Sequence, residues 1–218
     1  MKDAHTLPAV HALHLVELVK RWGVEPAALI GDLGTSEDAL ADPDARLPVE
    51  DFARLVVRAR ALTGEPALGI HVGMQMRISV MGYLGFAALS ASTAREALEL
   101  AARFSPTRTE AFELRIVVDG DSASIVVDER ADFGDARDTV LTALLIGIWQ
   151  IGCALTGREL TGTAEFAFPE PAYAKSFGAM ANVRFGQPVN RLVFDRSVLD
   201  LPLVMSDPAA TRLAREQL

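Results

Sequence analysis

The sequence predicts an α+β fold: an N-terminal helical subdomain packed on a C-terminal mixed β-sheet subdomain, with a long central buried helix between them. Three observations carry this. Up to about residue 106 the apolar residues recur at helical spacing, as in Leu15, Leu18, Val19 and Trp22. From about residue 108 strand alternation takes over, as in Phe112, Leu114, Ile116 and Val118. Between them and the last strands, residues 139–157 (TVLTALLIGIWQIGCALTG) run without a charge. Helices first and strands later is the segregated order of an α+β protein.

The elements follow in order. Pro8 to Trp22 read as the first helix, ended by Gly23. Pro26 suits the first turn of a short helix to Ile30. Gly31 to Leu47 read as a mostly polar connection, with Asp42-Pro43-Asp44 as turn chemistry. Pro48 opens a helix whose Phe52, Leu55, Val56 and Ala59 share a face. Ala67 to Met76 is a short apolar helix, and Ile78 to Leu89 a second apolar run punctuated by Gly82 and Gly85, which permit close packing or a bend. Thr93 and Glu96 form the T-x-x-E capping box of a helix that Ser105-Pro106 ends. The strand from Phe112 returns through the hairpin signal Asp119-Gly120 to a strand over Ser122–Asp128.

Asp135 to Leu155 form the central helix. Its charge-free stretch approaches the length of a membrane span, but Thr139, Thr142, Gln150, Thr156 and three glycines dilute it. A helix apolar around most of its circumference is the buried centre of a domain, lying against one face of the sheet. Thr163 to Leu203 then carry a strand with Phe166 and Phe168 alternating, a short helix over Ala172–Phe177 closed by Gly178, a strand from Val183, and a last strand at Leu192-Val193-Phe194.

Composition narrows the function. Half of the 218 residues are hydrophobic and 23% are charged, which calls for a real core. A net charge of −8 argues against this chain gripping a phosphate backbone itself. Cys153 is the single cysteine, so no intrachain disulfide forms, and its place in the central helix reads as an inert buried thiol. Met1 to Leu15 carry Lys2, Asp3 and three histidines rather than the apolar core of a signal peptide, so a cytoplasmic location is expected.

A search for catalytic groups returns little. No phosphate loop and no G-x-S-x-G elbow occur. His11 and His14, three apart on a helix, lack acidic or cysteine ligands at diagnostic spacing and read as surface histidines. His71, in an apolar run, reads as a core histidine and is the one haem-ligand candidate. What remains is a binding module without cofactor. Met81, Tyr83, Phe86, Phe104, Phe112 and Trp149, with Met74 and Met76, fall near the boundary of the two halves, where adaptable apolar side chains line pockets. Arg103 and Arg108 flank the join; they read as ordinary surface arginines or, with Arg108 the candidate, as partners that neutralise an acidic ligand.

The segments F-A-F-P-E-P-A-Y, V-R-F-G, N-R-L-V-F-D and L-D-L-P-L after Thr163, with M-G-Y-L-G-F-A-A-L-S-A-S-T-A-R-E-A-L-E-L over 81–100, keep a common order and spacing. Together they resemble the N-terminal regulatory domain of AraC/XylS-type transcription regulators, the branch labelled arabinose-binding, over roughly Ala9 to Asp207. The resemblance implies an effector-binding and dimerisation domain rather than an enzyme. Its helical half spans about residues 8–106, its sheet half about 108–204, and 205–218 form a connector. It further implies a small-molecule effector, a homodimer, no membrane partner, and DNA contact only through a C-terminal helix-turn-helix domain absent from this chain. The apolar residues near the join point to an apolar or amphipathic effector rather than a sugar. A ligand-free interaction module and a haem or gas sensor using His71 stand as alternatives. The reading places Ile148 in the buried seam of the central helix, so Ile148→Asp is expected to abolish soluble folding, checked by recovery of soluble, cooperatively melting protein.

Overall fold

A computed structural model describes residues 5–178 and 182–217. Met1 to Ala4 and Leu218, included above in the leading segment and the connector, lie outside the described residues. The chain enters through β1 (Thr6–Pro8) and runs into α1 (Val10–Val19), extended by a 3-10 turn to Trp22. Next come α2 (Pro26–Ile30), α3 (Glu37–Ala41), β2 (Arg46–Pro48) and α4 (Val49–Thr63). The helical part closes with α5 (Leu68–Met74), α6 (Gly82–Ser90) and α7 (Ala94–Arg108). The hairpin β3 (Phe112–Asp119) and β4 (Ser122–Glu129) leads to the central helix α8 (Arg137–Thr156). Then follow β5 (Gly162–Glu165), β6 (Asn182–Arg184), β7 (Asn190–Asp195) and a final helix α9 (Pro208–Arg215).

The architecture is the expected α+β one, with one mixed sheet of order β3-β4-β7-β5-β6, in which only the β5–β6 pair is parallel. Leu141 and Leu145 of α8 pack on Ile125, Val127, Leu192 and Phe194 from the inner face of that sheet. Phe166, Phe168, Phe177 and Phe185 fill the same core beside β5, with ring centroids 4.9–6.2 Å apart. The N-R-L-V-F-D segment has a local role for each of its polar positions. Buried Asn190 accepts from the Ala167 N–H at 2.9 Å and donates to Glu129 at 3.0 Å. Arg191 holds the buried Glu165 carboxylate at 2.5 Å, and Asp195 caps the next turn through the Ser197 N–H.

Four sequence expectations need correction. Pro8 belongs to β1, which pairs antiparallel with β2 (Leu7 opposite Leu47), so the stretch read as polar connection holds both a strand and α3. Strands of three residues are too short to show a period; α3 did carry a signal, the Ser36 N-cap, whose Oγ accepts from the Ala39 N–H at 3.2 Å. Helix α7 continues past Ser105-Pro106 to Arg108, because proline removes one donor while the Thr109 N–H still reaches the Ser105 carbonyl at 3.0 Å. The strand expected to contain Phe166 and Phe168 ends at Glu165, although both rings are buried. Ile148 is half-buried and borders a cavity; the enclosed apolar positions on α8 are Leu141 and Leu145, both at 0% exposure, so that is where an introduced charge has no way out.

α5 lies unusually close to α8. A Cβ at Gly69 would sit 2.5 Å from the Thr139 carbonyl oxygen, and one at Gly73 would sit 2.8 Å from that of Ala143 and 2.7 Å from Ile146 Cβ. These glycines stand four apart on one face, so both are in the contact. A Cβ at Gly147 of α8 would also meet a neighbour, but its nearest atom would be Met76 Sδ at 2.4 Å, the flexible end of a side chain. Gly73→Ala is therefore expected to destabilise the fold by about 1–3 kcal/mol, despite alanine's better helix propensity. Gly147→Ala should be near neutral, since Met76 can swing aside. Thermal melts of the two variants against the parent check the contrast.

Candidate functional site

The two halves enclose a cavity of about 390 Å³. Its floor is the sheet, through Leu114, Ile116, Ile125 and Leu192, and one wall is α8, through Val140, Leu144 and Ile148. The roof is α6 and α7, which contribute Leu84, Gly85, Ala88, Leu98 and Ala101. α1 closes the remaining side with Leu15, Leu18, His11 and His14. Periodicity decides which residues point inward. On α6 the stripe through Met81, Leu84, Gly85 and Ala88 faces the cavity, so Tyr83 and Phe86 must face away.

The polar groups are few and unevenly placed. Glu17 and Arg77 line the cavity and are exposed, which puts its mouth between α1 and the segment joining α5 to α6. His11 lies deeper. Burial, assisted by His14, Arg108 and Arg46, pushes its pKa down to about 4, so it is neutral at pH 7. His14 is lowered by burial and by Arg77, with Glu17 opposing. Arg108 is lowered by burial and by Arg46, and its guanidinium lies beside Gly82, where an added Cβ would be 3.6 Å from Nη1. Ser105 Oγ is buried in the lining with no hydrogen-bond partner among the described residues, a group that a polar ligand atom or water would satisfy. No group of three or more His, Cys, Asp or Glu side chains placed to hold a metal occurs among the described residues.

Comparison with known proteins agrees with this architecture. The family model described as the arabinose-binding domain of AraC transcription regulators, N-terminal, matches residues 23–203. This chain belongs to the AraC-type regulators. It is 31% identical over 217 residues to an ornithine utilization regulator of Pseudomonas aeruginosa, covering 98% of this chain and 64% of that protein. It is 26% identical over 212 residues to an uncharacterised HTH-type transcriptional regulator of Mycobacterium tuberculosis, covering 88% of this chain and 58% of that one. The crystal structure of the transcriptional regulator CdpR from Pseudomonas aeruginosa shares the fold, with a TM-score of 0.65 at 15% identity, over 91% of this chain and 60% of that one. The chain thus spans under two thirds of the length of each of these relatives.

In this AraC-type domain the residues picked out by sequence separate into two groups. Met81, Phe112 and Trp149 line the cavity, and Phe112 stacks on Phe133 with centroids 5.0 Å apart. Tyr83 and Phe86 do not reach it, being 62% and 49% exposed on the outer face of α6. Phe104 packs at the edge of the α6–α7 cluster, with the Arg103 guanidinium 5.1 Å from its ring centre. Arg108 sits behind the lining, near His11. Met76 lines the cavity, whereas Met74 is 40% exposed beside Cys153 in a separate shallow depression.

Three histidine readings change. His11 and His14 are cavity residues, not surface ones: Leu15 and Leu18 fall on the same face of α1, and that stripe was the available signal. His71 is an exposed residue of α5 beside the edge of Trp22 and lies outside the cavity lining, because α5 turns Gly69 and Gly73 towards α8 instead.

The lowered pKa of His11 fixes a sign for acid sensitivity. Above about 6.5 both folded and unfolded chains carry it neutral; between there and about 4 only the unfolded chain takes the proton, so stability falls as pH falls. Below about 4 the loss saturates. From pH 7 to 5 the shift corresponds to roughly 2 kcal/mol, and His14 adds in the same direction. His11→Gln should flatten that part of the profile, measured as Tm against pH above the range where carboxylates titrate.

Proposed function

We propose that this AraC-type domain is an effector sensor, and that the cavity between its helical and sheet halves takes up a small apolar or amphipathic molecule. The cavity itself is the observation that carries the reading: about 390 Å³, walled almost wholly by aliphatic and aromatic side chains. That volume lies within the usual range of ligand pockets. Met81, Phe112 and Trp149 are the proposed contacts from the residues first picked out by sequence, joined by Met76, His11 and Ile148. The Pseudomonas relative is named for ornithine utilization. A molecule with two ammonium groups finds few partners here, since Glu17 at the rim is the one acidic side chain in the lining among the described residues.

The mechanism is a shift in population. The roof helices that face the cavity also carry α9. Leu84, Ala88, Leu155 and Leu203 pack with Ala214 of α9, Glu96 of α7 pairs with Arg215 at 2.9 Å, and Ser90 and Thr211 share a hydrogen bond of 3.1 Å. An effector that favours one setting of α6 and α7 therefore favours one placement of α9. It does so only by its difference in affinity for the two settings. In the cell this domain would act in the cytoplasm, as part of a homodimer, and pass the change to a helix-turn-helix domain outside this chain. The role is regulatory rather than catalytic.

A thermal-shift screen of small apolar and amphipathic compounds against the chain tests the reading. A compound at about one hundred times its Kd should raise stability by roughly 2.7 kcal/mol. Ala101→Phe, which fills the cavity from α7, should keep a cooperative melt and lose that response. Undiminished binding by Ala101→Phe would move the site, and a screen without any saturable shift would favour the ligand-free interaction module.

A further inference from the structure

Among the described residues the cavity has one formal positive charge in its lining, and that charge stands at the mouth. Arg77 lies in extended backbone between α5 and the 3-10 turn Ile78–Met81. Among the described residues its side chain makes no hydrogen bond or ion pair. Other arginines are committed elsewhere: Arg60 to Asp138, Arg137 to Glu129, Arg191 to Glu165 and Arg215 to Glu96. Gln75 and His14 share the lining with it as neutral polar groups. Inward from this rim the lining is aliphatic and aromatic, apart from His11 and a few hydroxyls. An ionised group taken deep into that interior would lose its hydration without a charged partner, whereas at the rim it keeps water and gains the guanidinium fork.

Resting on the effector-sensor reading, we infer that the effector is an amphipathic monocarboxylate, bound with its carboxylate at Arg77 and its apolar tail along α8. Size follows from the cavity. At ~30 Å³ for each water-sized group, 390 Å³ accommodates on the order of 13 non-hydrogen atoms, a chain of about ten carbons with its carboxylate. Charge limits the head group to one negative unit. Arg77 is the single cation among the described lining residues and Glu17 shares the rim, so a dianionic phosphate would leave one charge unpaired and incur the larger desolvation cost. Polyols fit poorly, because the lining has too few converging donors and acceptors to replace their hydration.

The test uses decanoate as probe and Trp149 fluorescence as readout, in a Trp22→Phe background that leaves Trp149 as the single tryptophan. Decanoate should quench or shift Trp149 saturably, and Arg77→Gln should weaken it at least tenfold. Arg77→Lys should restore part of the loss. 1-Decanol should bind more weakly than decanoate and change less than twofold on Arg77→Gln. Equal binding of decanoate and 1-decanol, both indifferent to Arg77→Gln, would overturn the head-group assignment while leaving the cavity reading standing. Tighter binding of decyl phosphate or decylamine would overturn it as well. Failure of every decyl compound to perturb Trp149, with Ala101→Phe no different from the parent, would remove the cavity reading itself.

Discussion

The close approach of α5 to α8 is the constraint on which the rest of the structure depends. Two glycines four residues apart let the backbone of one helix rest on the backbone and Cβ atoms of the other. With side chains there, α5 would have to stand off, and Met76 and Arg77 after it would move away from the cavity. The contact also explains why α8 is apolar nearly all round. One face meets the sheet through Leu141 and Leu145, another meets α5 through Thr142 and Ile146, and a third borders the cavity through Leu144 and Ile148. Although α8 with its preceding turn is long and apolar enough to cross a membrane, these three partners account for its composition.

Polar groups then fix the two halves in register. Asp138, at the start of α8, receives Arg60 of α4 at 2.9 Å and the Tyr173 hydroxyl at 3.0 Å, so one carboxylate ties a helix of the first half to the β5–β6 crossover of the second. Burial pushes the Tyr173 phenol well above its ordinary pKa, which keeps it a donor. Glu165 inside the sheet is held by Arg191 and Arg184, and Glu129 by Arg137 and Asn190. Removing one member of such a set strands the charge of the other, so these ties specify geometry more than they add stability.

Between the halves, this framework leaves a space it does not fill. Side chains from α1, α6, α7, α8 and the sheet border it. An interior so uniformly apolar binds by shape and burial, leaving orientation to the few polar groups at the rim. The same α6–α7 roof that faces the space supports α9 on its other side. A change in what fills the cavity and a change in how α9 sits are thus mechanically adjacent.

Much of the fold was legible because its elements are long and periodic. The central helix, the Asp119-Gly120 hairpin, the Thr93–Glu96 capping box and the α+β order all follow from local spacing; the box is realised with Thr93 Oγ1 accepting from the Glu96 N–H at 3.3 Å. The strands β1 and β2 escaped because three residues are too few to show a period, and α3 because its Ser36 cap was the one local cue. The site was legible only by residue type. Of the residues singled out by type, Met81, Phe112 and Trp149 line the cavity and Tyr83 and Phe86 lie on the other face of α6, while His11, His14 and Arg77, not among them, also line it. By itself the sequence determined the secondary-structure order and the family, since both depend on neighbours within a few turns or on motifs in line. The tertiary structure alone decided which faces meet across the gap, because a cavity is formed by residues far apart in the chain whose common direction is set only when Gly69 and Gly73 bring α5 onto α8.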